Sequence, residues 1–167
     1  MSFEENLKNF RFTDDSRDVF DACLRFAAFL EKGGVKELQI YIDDAFKFYA
    51  AFFGSLLAGA APCVLAKPIL EANLTAVNDE NFSNFLANEP AKGLKFDPQA
   101  KFYLQTSGSS GKSKMIEKLL AQMIKESEYL ATELNFSSQN TFFSSVSHRH
   151  MFGLTFKVFL PLVLGAR

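Results

Sequence analysis

The residues best suited to chemistry lie in one short stretch, residues 102–114, which reads FYLQTSGSSGKSK. Gly108 and Gly111 let the backbone turn tightly and direct successive N–H groups toward an anion. Around them stand hydroxyl groups and positive charges that suit phosphate oxygens: Thr106, Ser107, Ser109, Ser110, Lys112 and Lys114. This composition favours a polyphosphate site, and a solvent-exposed Gly/Ser turn is the alternative.

The end of this stretch matches part of the Walker A loop, because Gly111 is followed by Lys112 and Ser113. That motif also needs a glycine five positions before Gly111, where this chain has Thr106. It further needs an acidic residue on a later strand to help hold the metal. No Asp follows Asp97. A small P-loop NTPase is therefore the least favoured interpretation.

The chain has only two histidines, His148 and His150. On an extended segment they would share a face, which is the geometry of a metal-binding pair. No Cys, Asp or Glu lies nearby in sequence to complete such a site. We therefore expect no metal site here. A structural histidine is the alternative to a functional one at both positions.

Apolar periodicity predicts the elements that must position these residues. Helices are expected at about 19–30, 45–58, 70–88 with a break near Asn78, 119–134 and 153–164. Strands are expected at 37–42, 61–66, 101–105 and 141–146, and residues 115–118 look extended. Strands that alternate with helices indicate an α/β fold with a mostly parallel sheet flanked by helices.

Length and composition limit the class of protein. The chain has 167 residues, 48% hydrophobic and 22% charged, with a net charge of −1. This indicates one globular domain or a piece of a larger one, and it gives no basic footprint for nucleic acid. The N-terminus lacks the basic and apolar regions of a signal peptide. We therefore expect a cytoplasmic protein.

Two further patterns have plain structural interpretations. Residues 48–66 carry no charge, but Gly54, Gly59 and Pro62 interrupt them. They are best explained as a buried helix, a tight turn and a buried strand rather than a membrane span. Cys23 and Cys63 stand alone in apolar surroundings and are expected to be free thiols.

Three blocks of the chain resemble the adenylate-forming (AMP-binding) superfamily, which includes acyl-CoA synthetases, luciferases and peptide-synthetase adenylation domains. Residues 106–114 are similar to its phosphate-binding signature, with Ser110 and Ser113 in place of the usual Thr and Pro. Residues 147–154 resemble its next motif, a His-containing loop beside the acyl pocket. Residues 43–68 resemble its early strand–helix–strand unit. The Ser-His-x-His form also resembles acyl-CoA synthetase-like members of bacterial lipid (fatty acid) metabolism.

The resemblance implies a ligase with a two-step reaction. A carboxylate attacks the α-phosphorus of ATP to give an acyl-adenylate and pyrophosphate, and the thiol of CoA or of a carrier-protein phosphopantetheine then takes the acyl group. The implied catalytic residue is His150, near the carboxylate and the adenylate. Lys112 falls at a variable, solvated position. The residues implied to hold the nucleotide phosphates are Thr106, Ser107, Gly108, Ser109, Ser110, Gly111 and Lys114.

Members of this superfamily are much longer than this chain. The resemblance therefore implies that residues 1–167 are a partial N-terminal AMP-binding domain, with the phosphate loop at 106–114 and the second motif at 147–154. The Mg²⁺ contact and the C-terminal domain are expected outside it, so this chain should be inactive alone. Expected partners are an acyl substrate and either an acyl carrier protein or the missing C-terminal portion. A non-catalytic remnant or a partner-binding module is the alternative.

Overall fold

The computed structural model describes residues 2–12, 15–68, 74–106 and 114–166. Five strands form one sheet in the order β3-β1-β2-β4-β5. They are β1 (Glu37–Tyr41), β2 (Ala61–Val64), β3 (Thr75–Asn78), β4 (Lys101–Thr106) and β5 (Lys114–Leu119). Strands β1 to β4 are parallel, and β5 is antiparallel to β4. The predicted α/β class with a mostly parallel sheet is confirmed.

Helices flank this sheet. They are α1 (Phe3–Asn9), α2 (Val19–Gly33), α3 (Ala45–Leu57) and α4 (Leu120–Glu133), together with a short 3₁₀ helix (Phe82–Leu86). The last helix begins as α5 (Met151–Gly153), continues as a π-helical stretch (Leu154–Phe159) and ends as α6 (Leu160–Leu164). The predicted helices near 19–30, 45–58, 119–134 and 153–164 are all present.

Helix α3 forms the centre of the core. Its Phe48, Phe52 and Phe53 side chains are fully buried. The Phe52 ring meets the Phe102 ring of β4 edge-on, with 5.1 Å between centroids. Phe53 meets Phe159 of the last helix in the same way at 5.8 Å. The uncharged residues 48–66 thus form a buried helix, a turn and a strand, and the described part of the chain has no helix long and apolar enough to cross a membrane.

Helix α1 was not predicted, although a local signal for it exists. The Ser2 hydroxyl accepts a hydrogen bond from the Glu5 N–H, and the Glu5 carboxylate accepts one from the Ser2 N–H. This reciprocal pair is a capping box, and a Ser followed three residues later by a Glu indicates one in a sequence. The buried Asn6 amide then donates to the carbonyls of Leu162 and Val163, at 2.7 and 3.2 Å. These contacts tie α1 to α6.

Two predictions were wrong. The helix expected at 70–88 is instead strand β3 and the 3₁₀ helix, since the Asn78 side chain accepts from the N–H groups of Glu80 and Asn81 and so forms a turn. Residues 69–73 lie outside the described chain. The strand expected at 141–146 is irregular, because none of the strands in the described ranges pairs with its backbone.

Candidate functional site

The carboxyl ends of the four parallel strands share one edge of the sheet. In open α/β sheets, ligands bind in the crevice outside this edge. Strand β4 ends there at Thr106, strand β1 at Tyr41 and strand β3 at Asn78. Both candidate segments from the sequence, the phosphate loop and the histidine segment, meet this edge.

Strands β4 and β5 form a hairpin that fixes the two ends of the phosphate loop. Thr106 pairs with Lys114 in the antiparallel ladder. The Thr106 hydroxyl donates to the Lys114 carbonyl at 3.2 Å, and the Lys114 side chain is exposed. The other candidate phosphate ligands, Ser107, Gly108, Ser109, Ser110 and Gly111, lie outside the described residues. The structure therefore defines the mouth of the loop.

A buried amide that the sequence reasoning missed lies beside this mouth. Gln105 is buried, and its side-chain oxygen accepts hydrogen bonds from the N–H groups of Ala66 and Lys67, at 3.0 and 3.2 Å. These bonds join the end of β4 to the chain that leaves β2. The sequence signal for these bonds is a glutamine that directly follows the apolar residues Phe102, Tyr103 and Leu104 of the strand, since a buried amide requires hydrogen-bond partners.

His148 is a buried residue that anchors its segment on β1. Its Nε2 atom lies 2.8 Å from the Ile42 carbonyl oxygen, so Nε2 carries the proton and donates. Its ring packs against Phe48, with 4.1 Å between ring centroids. Burial disfavours the charged imidazolium and lowers the pKa of His148 to about 4. His148 is therefore neutral at neutral pH and occupies a structural position.

Arg149 makes a second anchor on the same strand end. Its guanidinium lies over the Tyr41 ring, 4.0 Å from the centroid. Its Nη2 atom is 2.8 Å from an Asp43 carboxylate oxygen. The Arg149 side chain is mostly buried, and its Nε and Nη1 atoms have no hydrogen-bond partner among the described residues. The stability of the buried cation thus depends on Asp43 and Tyr41.

His150, the candidate catalytic residue, is exposed directly after these anchors. It is the N-cap of α5: its N–H donates to the Ser147 carbonyl at 3.2 Å, and its carbonyl accepts from Leu154 at 2.8 Å. Gly153 lies so close that a Cβ there would overlap the Ser147 carbonyl. The structure separates the two histidines, one inside the core and one facing solvent.

The last helix behind His150 is also held from the core. In its π-helical stretch, the backbone hydrogen bonds join residues five apart rather than four. The Tyr49 hydroxyl of α3 donates to the carbonyl of Lys157 in this stretch at 2.9 Å. Burial raises the pKa of Tyr49, so the hydroxyl keeps its proton and its role as donor. The helix that follows the candidate site is therefore hydrogen-bonded to α3.

Carboxylates of acidic residues at this edge accept hydrogen bonds from backbone N–H groups. The Asp79 carboxylate accepts from the N–H groups of Asp43 and Asp44, at 2.8 and 3.2 Å. Asp44 caps α3 by accepting from the Lys47 N–H at 2.8 Å. Within the described ranges, no three His, Cys, Asp or Glu side chains are grouped to hold a metal ion.

Comparisons with known proteins identify the fold. No family model and no curated protein sequence matches this chain. Among solved structures, the adenylation domain of a keto acid-selecting NRPS module, bound to keto acyl adenylate, aligns with a TM-score of 0.79 at 13% identity, over 99% of this chain and 39% of that one. VinN in complex with 3-methylaspartate aligns with a TM-score of 0.75 at 16% identity, over 89% and 52%.

A third structure, the o-succinylbenzoate CoA synthetase MenE from Bacillus subtilis with its acyl-adenylate intermediate, aligns with a TM-score of 0.75 at 15% identity. It covers 89% of this chain and 47% of MenE. The chain thus spans about half the length, or less, of the structures it matches. Over that length, it has the same fold as these three structures.

Proposed function

We propose that this chain supplies the phosphate-binding part of an ATP-dependent ligase that activates a carboxylate as its acyl-adenylate. The observation that supports this most is the β4–β5 hairpin, whose paired ends Thr106 and Lys114 hold a Gly/Ser loop at the carboxyl edge of the sheet. The loop composition and the superfamily fold agree with it. An acyl substrate is the carboxylate, and CoA or a carrier-protein phosphopantetheine is the proposed acceptor.

The hydrogen-bond donors and the ammonium group of this loop suit the negative charge of the ATP phosphates. Negative charge moves onto the leaving pyrophosphate as the carboxylate attacks, and hydroxyls, N–H groups and an ammonium are groups that can stabilise it. Thr106 and Lys114 would act from the mouth, with Ser107, Gly108, Ser109, Ser110 and Gly111 between them. Mg²⁺, when bound with ATP, supplies further charge neutralisation, and its protein contact is proposed to lie outside this chain.

His150 fits a role near the carboxylate and the α-phosphate, away from the loop that would bind the outer phosphates. Its segment is anchored at the end of β1, and β1 is two strands from β4. Neighbouring strands are separated by about 4.8 Å, so the two strand ends lie about 10 Å apart, a distance that an ATP molecule spans. The exposed imidazole is therefore proposed to lie near the carboxylate and the α-phosphate.

The topology argues against the P-loop NTPase alternative. A Walker A loop leads from a strand into the N-terminus of a helix, whose N–H groups bind the phosphates. Here the loop leads into β5, and Lys114 is its first residue. Lys112 would be the essential lysine of a Walker A loop, whereas Lys114 holds that place in the ligase proposal.

Replacing these two lysines by alanine separates the proposals. We expect Lys114→Ala to weaken ATP binding by about tenfold, because a charge-assisted contact to phosphate is lost, and Lys112→Ala to change it little. Amide chemical shifts of the ¹⁵N-labelled chain, followed during an ATP titration, measure both affinities. Equal effects of the two substitutions would contradict the assigned loop exit. A wild-type chain that does not bind ATP would favour a partner-binding module.

We also expect the 167-residue chain alone to catalyse no carboxylate-dependent exchange of pyrophosphate into ATP. The matched structures contain about as much polypeptide again, or more, and the magnesium contact and the C-terminal domain are proposed to belong to that part. Exchange of radiolabelled pyrophosphate, with a panel of carboxylates, measures this. Intact mass spectrometry of the endogenous protein complements it: a mass well above 18.7 kDa would show that the endogenous chain extends beyond these 167 residues.

A further inference from the structure

We propose that Arg149 and Asp43 form a clamp that positions His150 at the carboxyl edge of the sheet. This inference rests on the proposed function, in which His150 faces the nucleotide. The clamp consists of the ion pair between the Arg149 guanidinium and the Asp43 carboxylate, at 2.8 Å, and of the Tyr41 ring beneath the guanidinium. Both residues are positioning residues, since neither has to touch the substrate.

The chain before His150 cannot hold it in place. Residues 134–147 form no strand or helix, and the Phe143 side chain is 90% exposed. An irregular segment with so few buried apolar contacts has low local stability. The placement of His150 therefore depends on the contacts of residues 147–153.

Those contacts are of two kinds: a buried one made by His148 and a more exposed one made by Arg149. His148 is fixed inside the core by Ile42 and Phe48. Arg149 reaches outward to Asp43, whose side chain is two-thirds exposed. The guanidinium is planar, so stacking on Tyr41 and pairing with Asp43 together define its orientation. Since Arg149 directly precedes His150, this orientation constrains the direction in which the imidazole leaves the backbone.

Because two nitrogen donors of Arg149 have no partner among the described residues, the guanidinium depends on its ion pair with Asp43. Nε and Nη1 are buried and have no partner in the described part of the chain. Removal of the Asp43 charge would leave a mostly buried cation with its aromatic contact alone. A buried charge without its partner is unfavourable, so the guanidinium is expected to turn toward water and to move the adjoining backbone of His150.

The test uses the ring signals of the two histidines in the ¹³C,¹⁵N-labelled chain, together with the backbone amide of Lys114, during an ATP titration. In the wild type, ATP is expected to shift both the His150 ring signal and the Lys114 amide. In Asp43→Asn, the His150 response should fall by about fivefold while the Lys114 response is retained. Arg149→Ala should act in the same way, and Asp43→Glu should restore the response.

Glu4→Gln is the matched control, because it removes one carboxylate from an exposed ion pair with Lys8 on α1. The His148 signal reports whether each variant keeps its core. An unchanged His150 response in both clamp variants would overturn the clamp and leave the proposed function standing. A wild-type response at Lys114 without one at His150 would also overturn it. No response at either position would overturn the proposed function, and the clamp with it.

Discussion

Gly153→Ala is expected to destabilise the protein by about 2–3 kcal/mol, near the upper end of the usual range for overpacking. The added methyl group would overlap the Ser147 carbonyl and press on the His148 N–H. Both obstacles are backbone atoms, which cannot rotate away as a flexible side chain can. Urea denaturation of the two proteins, followed by circular dichroism, measures the change in the free energy of unfolding.

The matched control is Gly33→Ala, at the end of α2. A Cβ there would make only an ordinary contact, 3.4 Å from Val35. We expect a change in stability within about 1 kcal/mol, with alanine favoured in a helical position. A Gly153→Ala protein that is as stable as Gly33→Ala would show that the segment before α5 can move away freely. The ATP response of His150 should also be reduced in Gly153→Ala, because its backbone is displaced.

The second large effect is a loss of stability in mild acid that is caused by His148. The pKa of this residue is lowered from 6.5 to about 4 in the folded protein, mainly by burial. The unfolded chain therefore binds a proton at a higher pH than the folded protein does. The stability contributed by the neutral ring is complete above pH 6.5 and is lost as the pH falls toward 4. The loss between pH 7 and pH 5 is on the order of 2 kcal/mol.

Urea denaturation at these two pH values, for the wild type, His148→Gln and His150→Gln, tests this. Glutamine at position 148 can donate to the Ile42 carbonyl but cannot titrate, so this variant should lose most of the pH dependence. His150→Gln should keep it. If His148→Gln retained the full wild-type pH dependence, another group would be responsible. The neighbouring charges of Lys157 and Arg149 act in the same direction as burial, and Asp43 opposes them.

Much of the fold could be predicted from local sequence patterns. The strand predicted at 37–42 contains β1, and the helix predicted at 45–58 matches α3, which Asp44 caps. Residues 141–146 show the limit of such reasoning. Their aromatic and β-branched side chains are typical of a strand, but a strand also needs a neighbour, and the sequence of one segment does not reveal its neighbours.

For the same reason, the phosphate loop could be predicted from the sequence, whereas the contacts of the histidine segment could not. The phosphate loop is local, so its glycines, hydroxyls and lysines are recognisable together. The hydrogen bond from His148 to Ile42 joins residues 106 positions apart. The pair of Arg149 with Asp43 is similarly distant in sequence. Nothing near these residues distinguishes the buried histidine from the exposed one, and only the packing of α3 and β1 against the segment does so.

The bond between Asn6 and α6 has a consequence for synthesis on the ribosome. Helix α1 is synthesised before α6, and the carbonyls it binds belong to Leu162 and Val163, 156 and 157 residues later. At about 5–20 residues per second, their synthesis takes roughly 8–30 s longer. Before Phe159 is synthesised, the Phe3 ring also lacks the partner on which it stacks in the folded protein. Helix α1 is thus accessible to chaperones until α6 emerges from the ribosome, and it can dock on α6 only after that point.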